Sequence, residues 1–193
     1  MTVSNIILRA LKKIVEVLEK EDIDYCLFGG LAMQVYKRIR ATKDIDLIVS
    51  FALENPFELI NRIEKAGFNF DKKKGVIKIN GFELLRFIYN DEDTGFEIFI
   101  DLVITKGEFQ KQILNRKTKT DFLGIKVNIA SLEDLILLKF LANRPIDIVD
   151  VSVLLEENKK GIDKIYLKTW AKRLDIEDKL KELLKGNARY KIY

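Results

Sequence analysis

A chain of 193 residues, 48% of them apolar, can build one full core or a catalytic domain with a modest helical appendage. It has no histidine and one cysteine, which excludes Ser-His-Asp and Cys-His catalysis, a histidine general base, an internal disulfide and a Cys/His zinc site. The net charge is +4 and lies C-terminally, where residues 163–193 hold nine Lys or Arg against five Asp or Glu; this permits nucleic-acid contact without demanding it, and leaves catalysis to carboxylates, lysine or metal.

Asn5 to Lys20 places Ile6, Leu8, Leu11, Ile14, Val15 and Leu18 on one stripe, which predicts an amphipathic helix. Tyr25 to Phe28 reads as a short apolar strand, in which Cys26 is a small core residue. Gly29-Gly30 then marks a strand-to-helix turn where backbone can approach a ligand closely, and the first amides of a helix over Leu31 to Lys37 make it a candidate anion seat. Asp44 to Val49 is a second strand. Asp44 and Asp46, two apart, project to the same face, an arrangement suited to a divalent cation, while Ile45, Leu47 and Val49 pack behind. Between turn and strand, Arg40 reads either as a helix-end cation or as part of a phosphate pocket. Thr42 reads as a strand-entry residue or as a hydroxyl for phosphate.

Asn55 to Ala66 predicts a helix stopped by Gly67, and Asp71 to Gly75 a solvated turn. Val76 to Ile79 and Phe82 to Tyr89 predict a hairpin through Asn80-Gly81. The acids of the loop Asn90 to Gly95 are expected to face solvent. In the apolar strand Phe96 to Ile104, Asp101 stands out, because a lone buried carboxylate is costly without a partner or a metal. Lys126 to Ile129 is the last predicted strand. Ser131 caps a helix to Ala142, Pro145 opens another to Glu157, and two more follow at Asp163 to Leu174 and Glu177 to Leu184. On the last pair, Lys164, Lys168 and Lys172 share one helix face near Tyr190 and Tyr193, either a solvated face or a surface for single-stranded RNA. No run reaches the roughly 18 apolar residues of a membrane span and the N-terminus has no signal-like apolar core, so a cytoplasmic protein without membrane partners is expected.

Gly-Gly after an apolar strand followed by Asp-Ile-Asp-Leu resembles the nucleotidyltransferase superfamily typified by DNA polymerase beta. The finer pattern, Gly-Gly-x-Ala, seven residues, then Arg-x-Thr-x-Asp-Ile-Asp-Leu, is most similar to the AbiEii/MenT-type enzymes of toxin–antitoxin systems, with the minimal nucleotidyltransferases that accompany HEPN proteins second. Further on, Lys139, Arg144, Asp147 and Asp150 resemble the family's later Lys…Arg-x-x-Asp-x-x-Asp motif, although Lys139 also reads as a lysine snorkelling at a bundle rim.

The resemblance implies an α/β (α+β) fold: a mixed sheet flanked by helices, with a catalytic domain over residues 1–129 and a helical region over 130–193. It implies transfer of a nucleoside monophosphate from a nucleoside triphosphate (NTP) to an acceptor hydroxyl with Mg²⁺ or Mn²⁺. Asp44, Asp46 and Asp101 would be catalytic and metal-binding, and Gly29, Gly30, Arg40, Thr42, Lys139 and Asp147 would bind the nucleotide. Expected partners are the NTP, RNA (a tRNA 3′ end first), and a cognate antitoxin or toxin. The alternatives are a protein-AMPylating enzyme and an antitoxin-like nucleotide-binding member without turnover.

Overall fold

The structure, a computed structural model, describes residues 3–50, 56–79 and 81–184. The expectations that fall on Asn55, Asn80, Tyr190 and Tyr193 lie outside the described residues. Eight strands form one mixed sheet: β1 (Asp24–Phe28), β2 (Asp44–Ser50), β3 (Asn69–Phe70), β4 (Val76–Ile79), β5 (Phe82–Asn90), β6 (Glu97–Ile104), β7 (Thr118–Phe122) and β8 (Ile125–Ile129). The order is β3-β5-β6-β2-β1-β8-β7, with β4 paired to β5. The β2/β6 and β1/β8 pairs are parallel and the others antiparallel. The helices are α1 (Val3–Lys20), α2 (Gly29–Ala32), α3 (Pro56–Lys65), α4 (Glu108–Arg116), α5 (Leu132–Ala142), α6 (Pro145–Glu157), α7 (Lys164–Arg173) and α8 (Glu177–Leu184). The expected α/β class and the alternation along β2 are both present.

Ile45, Leu47 and Val49 of β2 are fully buried beside Ile100, Leu102 and Ile104 of β6, and α1 packs against β1, β2 and β6. The buried stripe of α1 is Ile6, Ile7, Ala10, Leu11, Ile14, Val15 and Leu18, with Leu8 only at its edge. Each fully buried Leu or Ile there contributes about 2 kcal/mol by leaving water, against at most a few tenths for differences in helix propensity, so packing holds this helix. Helix α5 is buried nearly all round, as a helix inside a larger core must be.

The chain departs from the sequence reading in four places. The helix after Gly29-Gly30 is one α turn that begins at Gly29 and passes into a short 3-10 helix over Met33–Tyr36, so it has little dipole to offer an anion. Asp91 is not solvent-facing; it is buried, and accepts hydrogen bonds from Arg9 and from the Thr94 hydroxyl, pinning its loop to α1. The β7–β8 hairpin turns at Leu123-Gly124 with φ +52° and +84°, a conformation for which leucine gives no signal. Helix α4 buries only Phe109, Gln110, Ile113 and Leu114, too short an apolar pattern to read from the sequence.

Candidate active site

Strand register sets the site. Phe28, Asp46, Asp101 and Arg86 form one row across β1, β2, β6 and β5, flanked by Asp44 beside Phe99 on one side and by Ile48, Val103 and Leu84 on the other. Cross-strand partners share a face, so the three carboxylates from two strands meet at one surface. They line a cavity of about 850 Å³ roofed by Leu135, Leu138, Lys139 and Ala142 of α5 and bordered by Gly29, Gly30, Arg40, Thr42, Lys43, Lys74 and Arg144.

The two glycines are required by the carboxylates as much as by any ligand. Gly29 has φ +70°, and a Cβ there would lie 1.9 Å from Asp46 Oδ2. A Cβ on Gly30 would lie 2.9 Å from the Thr42 Cβ. Thr42 in turn steers the entry to β2: its Oγ1 accepts a hydrogen bond from the Asp44 amide at 3.4 Å.

Burial, then the negative charges of Asp101 and Asp44, push the Asp46 carboxyl up to about 7. Burial and Asp101 likewise raise Asp44, against the pull of Arg86, Arg144 and Arg40. Asp101 differs from both. Arg86 donates to it through Nε to Oδ1 at 2.7 Å and Nη2 to Oδ2 at 2.6 Å, a bidentate pair. Among the described residues no three carboxylate, cysteine or histidine groups converge as a ready cation cluster. Asp44 and Asp46 fit a divalent ion, because both line one cavity from the same face of β2 and two carboxylates so placed are oxygen ligands for such an ion. Asp101 borders the same space with its oxygens turned to Arg86.

A second constellation holds the wall. Lys139, read either as a nucleotide-binding residue or as a lysine at a bundle rim, is buried, and its Nζ lies 2.9 Å from Asp147 Oδ1 and 3.1 Å from Asp150 Oδ2. Asp147 accepts two further bonds from the Arg144 side chain at 2.7 and 3.0 Å and one from the Arg144 amide at 3.1 Å. Burial raises its pKa, but Arg144 and Lys139 outweigh that and hold it down to about 2. Asp150, fully buried, also meets Arg38 Nε at 2.9 Å and Arg40 Nε at 3.3 Å. Of the expected nucleotide-binding residues, Gly29, Gly30, Arg40, Thr42 and Lys139 line the cavity, whereas Asp147 stands behind it and acts on Lys139 and Arg144. Sequence reasoning missed Arg86, Lys43 and Lys74. For Arg86 a signal existed, a lone cation inside the apolar run Phe82 to Tyr89.

Beyond Leu84 the cavity continues into an apolar lobe of about 140 Å³ lined by Phe28, Ile48, Ile79, Phe82, Leu84, Val103, Leu138 and Ala142. Past Phe82 a broader hollow of about 770 Å³ carries Lys106, Phe109, Trp170 and Arg173. A groove between α5 and the β4–β5 hairpin therefore leads away from the carboxylates. Lys164, Lys168 and Lys172 are exposed on α7 and line none of these three hollows.

Among solved structures, the chain is similar to the antibiotic-resistance factor ANT(2'')-Ia at 14% identity, with 96% of each chain covered and a TM-score of 0.54. It is similar to an antigenic nucleotidyltransferase-like protein from Paracoccidioides brasiliensis at 18% identity, 92% of each chain and a TM-score of 0.51. It is also similar to the lincosamide antibiotic adenylyltransferase LnuA at 16% identity, covering 76% of this chain and 94% of that one, with a TM-score of 0.50. At such identities the likeness is one of fold. No curated protein matches the sequence. The model of a family described as nucleotidyltransferase of unknown function (DUF6036) matches residues 6–191, and the chain belongs to that family.

Proposed function

We propose that this nucleotidyltransferase moves a nucleoside monophosphate from an NTP to the hydroxyl of an RNA acceptor, a tRNA 3′ end first. The observation that carries the reading is the meeting of Asp44, Asp46 and Asp101 in one cavity whose border also holds Arg40, Lys43, Lys74, Arg86, Lys139 and Arg144. An acceptor oxygen bonds to the α-phosphorus, the bond to the bridging oxygen breaks, and pyrophosphate leaves with the electron pair; the hydroxyl proton passes to a carboxylate or to solvent. Mg²⁺ or Mn²⁺ held by Asp44 and Asp46 would supply Lewis-acid polarisation of the reacting oxygens. Lys139 and Arg144, oriented by hydrogen bonds to Asp147, and Arg40, in ion-pair range of Asp150 at 3.3 Å, would place cations beside a polyphosphate.

The groove that carries Lys106 and Arg173 supports an RNA end, since phosphates seek cations. The Gly29–Asp46 pattern alone supports kinship with the AbiEii/MenT-type branch, with an antitoxin or toxin as partner. A small-molecule hydroxyl is the second reading. The apolar lobe beside the carboxylates favours it, and LnuA, of similar fold, is a structure with lincomycin bound.

The test offers the protein each α-labelled NTP with Mg²⁺, alone and with total RNA. RNase-sensitive label on RNA is expected. Label on a protein band that RNase leaves unchanged turns the reading to protein modification, and label on a small product turns it to the second reading.

A further inference from the structure

Building on the nucleotidyl-transfer reading, we propose that Arg86 is a built-in counter-ion that keeps Asp101 out of metal binding, so that the nucleotide-free chain takes a single divalent ion, on Asp44 and Asp46. Arg86, Asp101 and Asp46 are register partners on three adjacent strands, so their side chains rise from one face of a rigid sheet. The guanidinium fork meets both oxygens of Asp101, at 2.7 and 2.6 Å, and lies against the Phe99 ring with its central carbon 5.1 Å from the centroid. That pose is fixed on two sides. Arg86 also breaks the pattern of its own strand, where the same-face neighbours Leu84 and Ile88 are apolar.

A divalent ion shared with Asp101 would stand at contact range from a permanent positive charge, and arginine does not lose its proton in a protein. The carboxylates of Asp44 and Asp46 make no ion pair among the described residues. Their charge is left to a ligand, while that of Asp101 is already answered. Asp101 then serves the site as a positioning residue, holding Arg86 toward the cavity that both line.

The experiment titrates the full chain, free of metal and nucleotide, with Mn²⁺ and counts bound ions from the loss of the free-ion electron paramagnetic resonance signal. The wild type should bind one equivalent, and so should Asp101→Asn and Arg86→Lys, which keep either the carboxylate pair or the positive charge. Arg86→Gln should bind two, and Asp46→Asn should bind at least tenfold more weakly than the wild type. Two equivalents in the wild type, falling to one in Asp101→Asn, overturn the proposal even if Arg86→Gln does not fold. One equivalent of unchanged affinity in a folded Arg86→Gln overturns it as well. Unchanged binding in Asp46→Asn, or none in the wild type, instead removes the carboxylate site on which the catalytic reading stands.

Discussion

Asp46 ionises at a cost to the fold, because burial and the charges of Asp101 and Asp44 push its pKa up to about 7 from an ordinary 3.8. A shift of that size is worth on the order of a few kcal/mol. The folded state then holds the Asp46 proton more tightly than the unfolded state, so in the presence of a chelator the melting temperature should rise as pH is lowered from 8 towards 5. Asp147 works in the opposite sense. Held down to about 2, it contributes stability above about pH 4 that is lost as pH falls towards 2. Thermal unfolding across pH should therefore peak on the acid side of neutrality, and Asp46→Asn should flatten the limb between 5 and 8 while abolishing nucleotide transfer. Gly29→Ala tests the same carboxylate from the backbone side. The new Cβ falls 1.9 Å from Asp46 Oδ2 at φ +70°, which costs roughly 1 kcal/mol in backbone conformation and displaces the carboxylate. Turnover should fall more than tenfold in a steady-state assay, with a small loss of melting temperature.

At the level of elements, α5 and α6 are joined by ions rather than by apolar contact alone. Lys139 on α5 meets Asp147 and Asp150 on α6, and Asp150 reaches back to Arg38 and Arg40 in the segment leading to β2. Removing one member of a buried set strands the others, so Asp150→Asn should cost about 3 kcal/mol by chemical denaturation and weaken NTP binding by freeing Arg40. A larger loss of stability than of nucleotide affinity would mark the set as purely structural. These links were half legible in the sequence. The alternation over Asp44 to Val49, the Ser131 cap and Pro145 at a helix start are local signals, and each is realised. Arg86 against Asp101, 15 residues on, depends on the register of two neighbouring strands, and Arg38 and Arg40 against Asp150 join segments far apart in sequence; periodicity fixes neither. The rim reading of Lys139 stays open in the sequence because its partners, Asp147 and Asp150, lie on a different helix.

Across the whole molecule, the groove and the lysine face offer two routes for an acceptor. The groove leads from the carboxylates past the apolar lobe to Trp170 and Arg173, whereas the Lys164, Lys168 and Lys172 stripe lies outside the hollows. Part of that stripe is also answered within the fold: the Glu177 carboxyl is lowered by Lys181 first and then by Lys172 and Lys168. With an RNA acceptor, replacing Lys106 and Arg173 together by Gln should raise KM several-fold and reduce the salt slope by about 1.4, from roughly 0.7 per lost phosphate contact on a single strand. Replacing Lys164, Lys168 and Lys172 by Gln should do less. The reverse order, read from salt-dependent labelling assays, would move the acceptor to the lysine face.

The grip of Asp150 on Arg38, across 112 residues of sequence, bears on how the protein is made. A chain emerging from the ribosome exposes Asp44 and Asp46 long before α6 exists, and until then the segment that feeds β2 has no anchor. The boundary expected near Ile129 cuts through that anchor, because the sheet supplies the carboxylates and the later helices supply what holds their approach. Closure of the cavity is therefore among the last properties a growing chain acquires, and a fragment ending at the sheet would carry the three carboxylates without the helices that roof them.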